Sequence, residues 1–419
     1  MLAQRLKPIP VYMLLSGGYA FFTTLVFSTN LVFQTQEAGL NPIQLVLIGT
    51  ALEASIFICE VPTGILADVY SRRLSVLIGL VLAGLGLMLG GAFPIFWIIL
   101  LSQPLWGIGQ TFISGAKQAW IADEIGPENA GAVFLRSSQV ETICRIAALP
   151  LGIAIGALLD LNTPILIGGA LLVVLAFVLL PVMPETGFTR LDKIEGGALN
   201  SMKSTLVAGG SLVRRSPLLI TVFGIAAFYG MASEGFERLW TAHFYYNLGY
   251  PDLWDLEFVV WIGVIRTGAA LLSLAAVEFL RRRVDTNSHA VVSRGLFLIN
   301  AAQVISIVVL AASGGFILGM IAFWFAVSLS RTYDPLFLAW INQNIPDSRV
   351  RATVISMSSQ TDAIGQIAGG PLLGAIGTLA SLRAAMYGSA VVLLPALALY
   401  TRAFRQGAPA PEPATTTDK

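Results

Sequence analysis

SSQVETICRIAALPLGIAIG occupies residues 137–156 and SSQTDAIGQIAGGPLLGAIG occupies residues 358–377. The two stretches lie 221 residues apart and keep Ser, Ser, Gln, Ile, Ile, Ala, Pro, Leu and Gly in register, with an acid at the fifth place of each, Glu141 and then Asp362. A shorter echo precedes both: AWIADEIGPE starts at Ala119 and AWINQNIPD at Ala339, 220 residues apart. Two echoes in the same order, at nearly the same offset, mark a chain built from two parallel halves.

The solvent that suits such a chain follows from its composition. Its 419 residues are 56% hydrophobic and only 12% charged, with a mean hydropathy of +0.77. That is more apolar surface than a soluble core of this size can bury, so the lipid bilayer is the expected surrounding. A net charge of +1 leaves no concentrated basic face for nucleic acid, and none is expected as a partner. Cys59 and Cys144 stand alone in apolar runs, and His243 and His289 lie far apart. Neither a disulfide framework nor a metal-ligand spacing is present in the sequence, and no cofactor is expected.

A membrane span needs about 20 apolar residues. Twelve runs qualify, at roughly 10–33, 42–66, 74–92, 94–118, 131–158, 162–183, 217–246, 255–280, 290–311, 314–341, 354–377 and 380–402. The expected fold is an all-α membrane protein of twelve transmembrane helices in two six-helix bundles, with the doubled stretch as the fifth helix of each. The first run is too long for a secretory leader and is expected to stay. Residues 1–184 read as the first bundle, 185–216 as a linker with a short amphipathic helix at the membrane surface, 217–405 as the second bundle and 406–419 as a disordered tail. Arg5, Lys7, Arg72, Arg73, Arg281 to Arg283, Arg349, Arg351, Arg402 and Arg405 fall on the side shared by both termini, while QTQEAGLNP and NLGYPDLWD on the other side carry no Lys or Arg. The positive-inside rule puts both termini in the cytoplasm of a cell, with the chain in the inner or plasma membrane.

Inside the doubled helix, Gly365, Gly369, Gly370, Gly374 and Gly377 surround Pro371, and Pro150 stands at the matching place in the first copy. Small residues let helix backbones approach in lipid, and proline permits a kink, so these positions serve either packing or a hinge.

Between the second and third runs stands GILADVYSRR, Gly64 to Arg73. It resembles the loop signature of the major facilitator superfamily, G-x-x-x-D-(R/K)-x-G-(R/K)-(R/K), at Gly64, Asp68, Arg72 and Arg73; Val69 and Ser71 depart from it. The resemblance covers about residues 8 to 405. It implies a cytoplasmic gate in which Asp68 faces the start of helix 11, and Arg72 or Arg73 pairs with Asp123 or Glu124. It also implies that helices 1, 4, 7 and 10 line a central chamber. The drug/proton-antiporter branch is matched more loosely: GQIAGGPLLG on helix 11 is nearer to its glycine-proline pattern than RIAALPLG on helix 5, and Gln103 stands where that branch has arginine.

Charges inside a bilayer are costly, about 2.5 to 3.5 kcal/mol each at the helix centre on insertion scales, and such residues are candidates for function. Glu53, Glu60, Glu141, Arg145, Glu234, Glu237, Arg238, Arg266, Arg331, Asp334 and Asp362 all fall within the apolar runs. Glu141 and Arg145 stand one turn apart, as do Glu234 and Arg238, so each pair can neutralise itself along its own helix. Glu53, Glu237 and Asp362 have no opposite charge one turn away in the sequence. A desolvated carboxyl holds its proton more tightly than one in water, as a proton carrier must. Glu53, Glu141, Glu234, Glu237 and Asp362 are therefore the proton-coupling candidates. Gln103, Gln110 and Lys117 recur every seven residues on one face of helix 4. With Tyr19, Phe22, Trp106, Tyr229, Arg238, Trp240 and Arg331, the two glutamines form the candidate lining of a chamber suited to an amphipathic or weakly polar molecule.

No G-x-x-x-x-G-K-(S/T) loop is present to bind ATP, and no H-E-x-x-H or G-x-S-x-G motif marks an enzyme. The expected function is secondary active transport, a proton-coupled export of small amphipathic or drug-like compounds by alternating access. Expected partners are a small-molecule substrate, protons and the lipid bilayer, with the protein a monomer. The alternatives are a nutrient or metabolite symporter or facilitator, a lipid or lysolipid transporter, and a membrane sensor.

Overall fold

The computed structural model describes residues 7–189, 216–253, 255–284, 288–345 and 348–406. Among them the chain forms twelve long helices: α1 Pro8–Gln36, α2 Pro42–Val69, α3 Arg72–Ala92, α4 Phe96–Ile125, α5 Pro127–Leu158, α6 Thr163–Val182, α7 Pro217–His243, α8 Phe258–Arg283, α9 His289–Ala312, α10 Phe316–Gln343, α11 Ser348–Leu379 and α12 Leu382–Gln406. A π-helical turn, Phe244–Leu248, continues α7. Each apolar run in the sequence is one helix, its ends shifted by a few residues. Most of the expected linker and tail, 190–215 and 407–419, lies outside the described residues.

Local sequence explains where the helices begin. Proline, whose fixed φ suits a first turn and whose missing N–H is not needed there, opens α1, α2 and α5. Asn41 and Gln44 cap α2 reciprocally, and the Ser71 side chain accepts the Leu74 N–H at the start of α3. One residue, Gly126, separates α4 from α5; its φ of 85° lies in a region that a residue with a Cβ reaches only under strain. Among the described residues, eleven of the helices are long and apolar enough to cross a membrane. The exception is α11, whose first half reads SRVRATVISMSSQTD.

The chain divides into two compact units. The first holds residues 1–198, 237–264 and 370–382: α1 to α6, together with the end of α7, the start of α8 and the end of α11. The second holds residues 199–236, 265–369 and 383–419.

In the first unit, α5 packs along α1. A Cβ added at Gly17 of α1 would lie 2.9 Å from Val140 Cγ1 and 3.2 Å from Cys144 Sγ on α5. Further along, a Cβ at Gly152 would strike the Ser28 hydroxyl. The same unit ties α11's end to the α1–α2 corner: the Ile43 amide donates to Thr378 Oγ1 at 3.0 Å, and a Cβ on Gly374 would come within 2.9 Å of Ile43 Cα. Nearby, the Tyr246 hydroxyl donates to the Thr35 carbonyl at 3.2 Å.

In the second unit, α11 packs along α7 by the same device. A Cβ at Gly365 would strike the Ala227 carbonyl oxygen and come within 2.9 Å of the Met231 nitrogen, and Gly369 closes on Met231. Pro150 and Pro371 stand inside unbroken helices. An aromatic column fills this unit's core, with Tyr229 stacked on Tyr333 at 4.1 Å, Tyr333 on Phe337 at 5.0 Å, and Trp340 between Phe337 and Tyr400.

Because lipid supplies no hydrophobic drive between helices, these contacts rest on van der Waals packing that any added side chain forfeits. Gly365→Ala is therefore expected to destabilise the protein by about 1–3 kcal/mol, as overpacking does. Gly131→Ala, where a Cβ meets nothing within 4 Å, should leave the thermal unfolding midpoint in detergent unchanged or slightly raised. Equal midpoints for the two variants would contradict the crossing.

Candidate functional site

Near the N-terminal end of α1, a polar network joins α1, α4 and α5. The seven-residue spacing of helix 4 places Gln110 and Lys117 toward these neighbours, and Tyr12 and Tyr19 are seven apart on α1. The Tyr19 hydroxyl donates to Gln110 Oε1 at 2.6 Å. Lys117 Nζ donates to Glu141 Oε1 at 2.8 Å, with side-chain exposures of only 13% and 26%. Ser137, at the head of the doubled stretch, adds a hydrogen bond to the same oxygen at 3.3 Å. The Lys117 ammonium also stands 5.5 Å from the Tyr12 ring centroid, within cation–π reach. The sequence allows Glu141 to pair with Arg145 along its own helix; the structure has it cross to Lys117. A primary ammonium on a long flexible stem can meet the carboxylate between helices.

The other chamber candidates of α1 and α4 divide. Phe22 sits edge-on to Phe21 at 5.9 Å, and Trp106 packs on Phe27 at 4.9 Å. The Trp106 indole N–H is buried without a hydrogen-bond partner among the described residues. Gln103 turns back on its own helix, donating to the Ile99 carbonyl at 3.0 Å. Glu53 is half-buried on α2.

The loop signature builds a second cluster at the α2–α3 corner. Arg72 clamps Asp68 at 3.0 Å and Asp123 of α4 at 2.5 Å, and donates to the Ala119 carbonyl at 3.1 Å. Gly64 lies where α2 approaches α4, its Cα 3.9 Å from a Cβ built on Gly115. Arg73 donates from its side chain to the Leu180 carbonyl, and its amide donates to Glu185 at 2.9 Å.

Sequence reasoning missed Glu185. Its two oxygens share the single Ser71 hydroxyl proton, at 2.9 and 2.7 Å, and with the Arg73 amide bond it caps the N-terminus of α3, where a negative charge is favoured. Glu124, near the end of α4, holds the segment after α6 instead of a helix end, accepting from Thr186 and Gly187 backbone N–H groups at 2.6 and 2.8 Å. The segment after α6 is thereby pinned, with Trp120 donating to the Pro184 carbonyl at 2.8 Å. These partners carry no periodic signal; only the short PET run after α6 marks them.

In the second unit, Asp362 of α11 accepts from Gln366 at 2.8 Å, and Asp334 and Glu234 lie within electrostatic reach of it. Glu234 is only 2% exposed. Tyr229 shares a hydrogen bond with Ser330 at 2.7 Å. Arg331 is exposed on α10 and lies within electrostatic reach of Asp334 and of Arg266. At the end of α7, within the first unit, Glu237 is exposed, Arg238 half-buried, and Trp240 buried against Phe244 at 6.0 Å.

The sequence profile of the Major Facilitator Superfamily matches residues 13–332 of this chain. The chain belongs to the major facilitator superfamily. It is a multi-pass membrane transporter of that type. It is 25% identical over 387 residues to an uncharacterized MFS-type transporter, YxaM, of Bacillus subtilis (strain 168), covering 90% of this chain and 91% of that protein. Among solved structures it is similar to the nucleoside transporter NupG, at a TM-score of 0.73 and 14% identity, over 96% of this chain and 100% of the other. It is also similar to the peptide transporter POT in complex with sulfate, at 0.71 and 15%, over 96% of each chain. A third is a bacterial homologue of the human lysosomal transporter Spinster, in an inward-facing and unoccupied conformation, at 0.67 and 15%, over 96% of this chain and 98% of that one. At such identities the major facilitator fold is what these structures share with this chain.

The superfamily loop makes a direct forecast. Arg72→Gln leaves Asp68 and Asp123 facing each other without their cation, and is expected to destabilise the protein by about 1–3 kcal/mol. Asp123→Asn in the same background removes part of that repulsion and should restore some of the loss. Thermal unfolding of single and double variants measures this; strictly additive losses would contradict the shared clamp.

Proposed function

We propose that this transporter is a proton-coupled exporter of small amphipathic compounds, working by alternating access. The observation that carries the reading is the group of Asp362, Asp334 and Glu234. Asp334 and Glu234 each lie within electrostatic reach of Asp362, and Arg331 lies within reach of Asp334. The repulsion that both exert on Asp362 is strong in low dielectric, and a proton on Asp362 is the smallest ligand that relieves it. A substrate that binds better in the conformation where these carboxyls are ionised releases that proton, which is exchange. One proton crossing 100 mV carries about 2.3 kcal/mol, enough to bias a cycle without covalent chemistry.

Asp362 is the carrier in this account, with Glu234 and Asp334 as its electrostatic neighbours. Glu53, Glu141 and Glu237 remain further candidates for proton binding, and the Arg72 clamp is the gate element on the face of α1's N-terminus. Within the first unit, Tyr19 and Gln110 supply polar contacts to a substrate whose apolar body meets Phe22 and Trp106. The distribution of Lys and Arg supports a cytoplasmic location for both termini in the inner or plasma membrane. A single chain is the working unit.

The test uses the full chain in vesicles holding a trapped pH indicator, challenged with anionic, neutral and cationic amphipathic dyes. Dye-dependent proton movement is expected, and Asp362→Asn should lower it by about tenfold or more while dye binding persists. Undiminished proton coupling in Asp362→Asn would remove Asp362 from the mechanism.

A further inference from the structure

The network of α1, α4 and α5 holds one carboxylate among two cations. Glu141 meets Lys117 across helices at 2.8 Å. Arg145 stands one turn further along α5, the spacing at which Glu141 can reach it instead. Arg145 and Glu141 both act electrostatically on the Tyr19 hydroxyl, so the three groups share one neighbourhood. The facing residues of α1, Tyr12 and Tyr19, bring aromatic surface and hydroxyls and no carboxylate; Tyr12 offers its ring to Lys117 at 5.5 Å. The local sum is one positive charge in excess: Lys117, only 13% exposed, is matched by Glu141, and Arg145, exposed on α5, is left over. An uncompensated charge within a span is expensive and calls for a counter-ion.

We propose that Lys117, Glu141 and Arg145 form a binding site for the anionic head, a carboxylate or similar oxyanion, of an amphipathic substrate. The head takes Lys117, Glu141 turns to Arg145, and Tyr12 and Tyr19 flank the substrate's apolar body. Glu141 is then an internal competitor that fills the site when substrate is absent. The proposal rests on the transport reading above and adds the charge of the substrate to it.

Calorimetric titration of the full-length protein in detergent tests it with three probes of matched size: phenylacetate, phenylacetamide and phenethylammonium. Phenylacetate is expected to bind tightest. Lys117→Gln should weaken it by about tenfold or more, Lys117→Arg should hold it within about threefold, and Glu141→Gln should tighten it by about tenfold. Opposite shifts from two neighbouring neutralisations cannot arise from partial unfolding. Equal affinity for the three probes, no measurable phenylacetate binding, or shifts of one sign in Lys117→Gln and Glu141→Gln would each overturn the proposal. Flux in vesicles separates it from the reading beneath it. Charge-selective binding without flux of phenylacetate leaves the anion site standing and the transport reading fallen. Flux of the amide or the amine, with affinities unmoved by Lys117→Gln, sinks the anion site and leaves transport standing.

Discussion

Helices in lipid have no solvent to press them together, and this chain meets that constraint with one repeated device. The fifth helix of each sequence half lies close along the first helix of the same half, α5 on α1 and α11 on α7, through residues too small to keep the backbones apart. Gly17 and Gly152 serve the first crossing, Gly365 and Gly369 the second. The repeated stretch is therefore a packing surface before it is anything else. That explains why its serines, small residues and proline recur while its polar interior differs.

The crossing decides where the chemistry can be. The fifth place of each copy lies inside its own unit: Glu141 beside α4, where it finds Lys117, and Asp362 beside α7, where a Cβ on Gly230 would lie 2.8 Å from its Oδ1. Their surroundings differ. Glu141 has a cation across the gap and another on its own helix. Asp362 has a neutral amide, Gln366, one turn on and two acids within electrostatic reach. Two equivalent positions in a repeat have become, in the reading offered here, one site for a substrate's charge and one for a proton.

Much of the architecture was legible from residues alone, because twelve apolar runs and two in-register echoes leave few alternatives to a doubled six-helix plan. The Arg72 clamp on Asp123 was legible from the loop signature, and the Gln110–Lys117 face from its seven-residue spacing. What the chain did not disclose is which helix answers which. A carboxylate on α5 has a cation one turn away and another on α4, and only the distance between helices selects Lys117 over Arg145. Glu185 was missed, and Glu124 was offered to the arginines rather than to Thr186 and Gly187, for a similar reason: they satisfy a helix end and a loop, tasks that leave no period in the sequence. Tyr12 was passed over because an aromatic near a helix start reads as interfacial until its ring is found under an ammonium.

The crossing of α5 on α1 can be measured directly, since native Cys144 faces Gly17. Mild oxidation of membranes carrying Gly17→Cys, in a background lacking Cys59, is expected to join residue 17 to Cys144, seen as a linked peptide pair by mass spectrometry. Gly131→Cys, where a Cβ meets nothing within 4 Å, should give no such link. Absence of the 17–144 link, or its formation no faster than at residue 131, would contradict the close packing on which the placement of Glu141, and with it the proposed chemistry, depends.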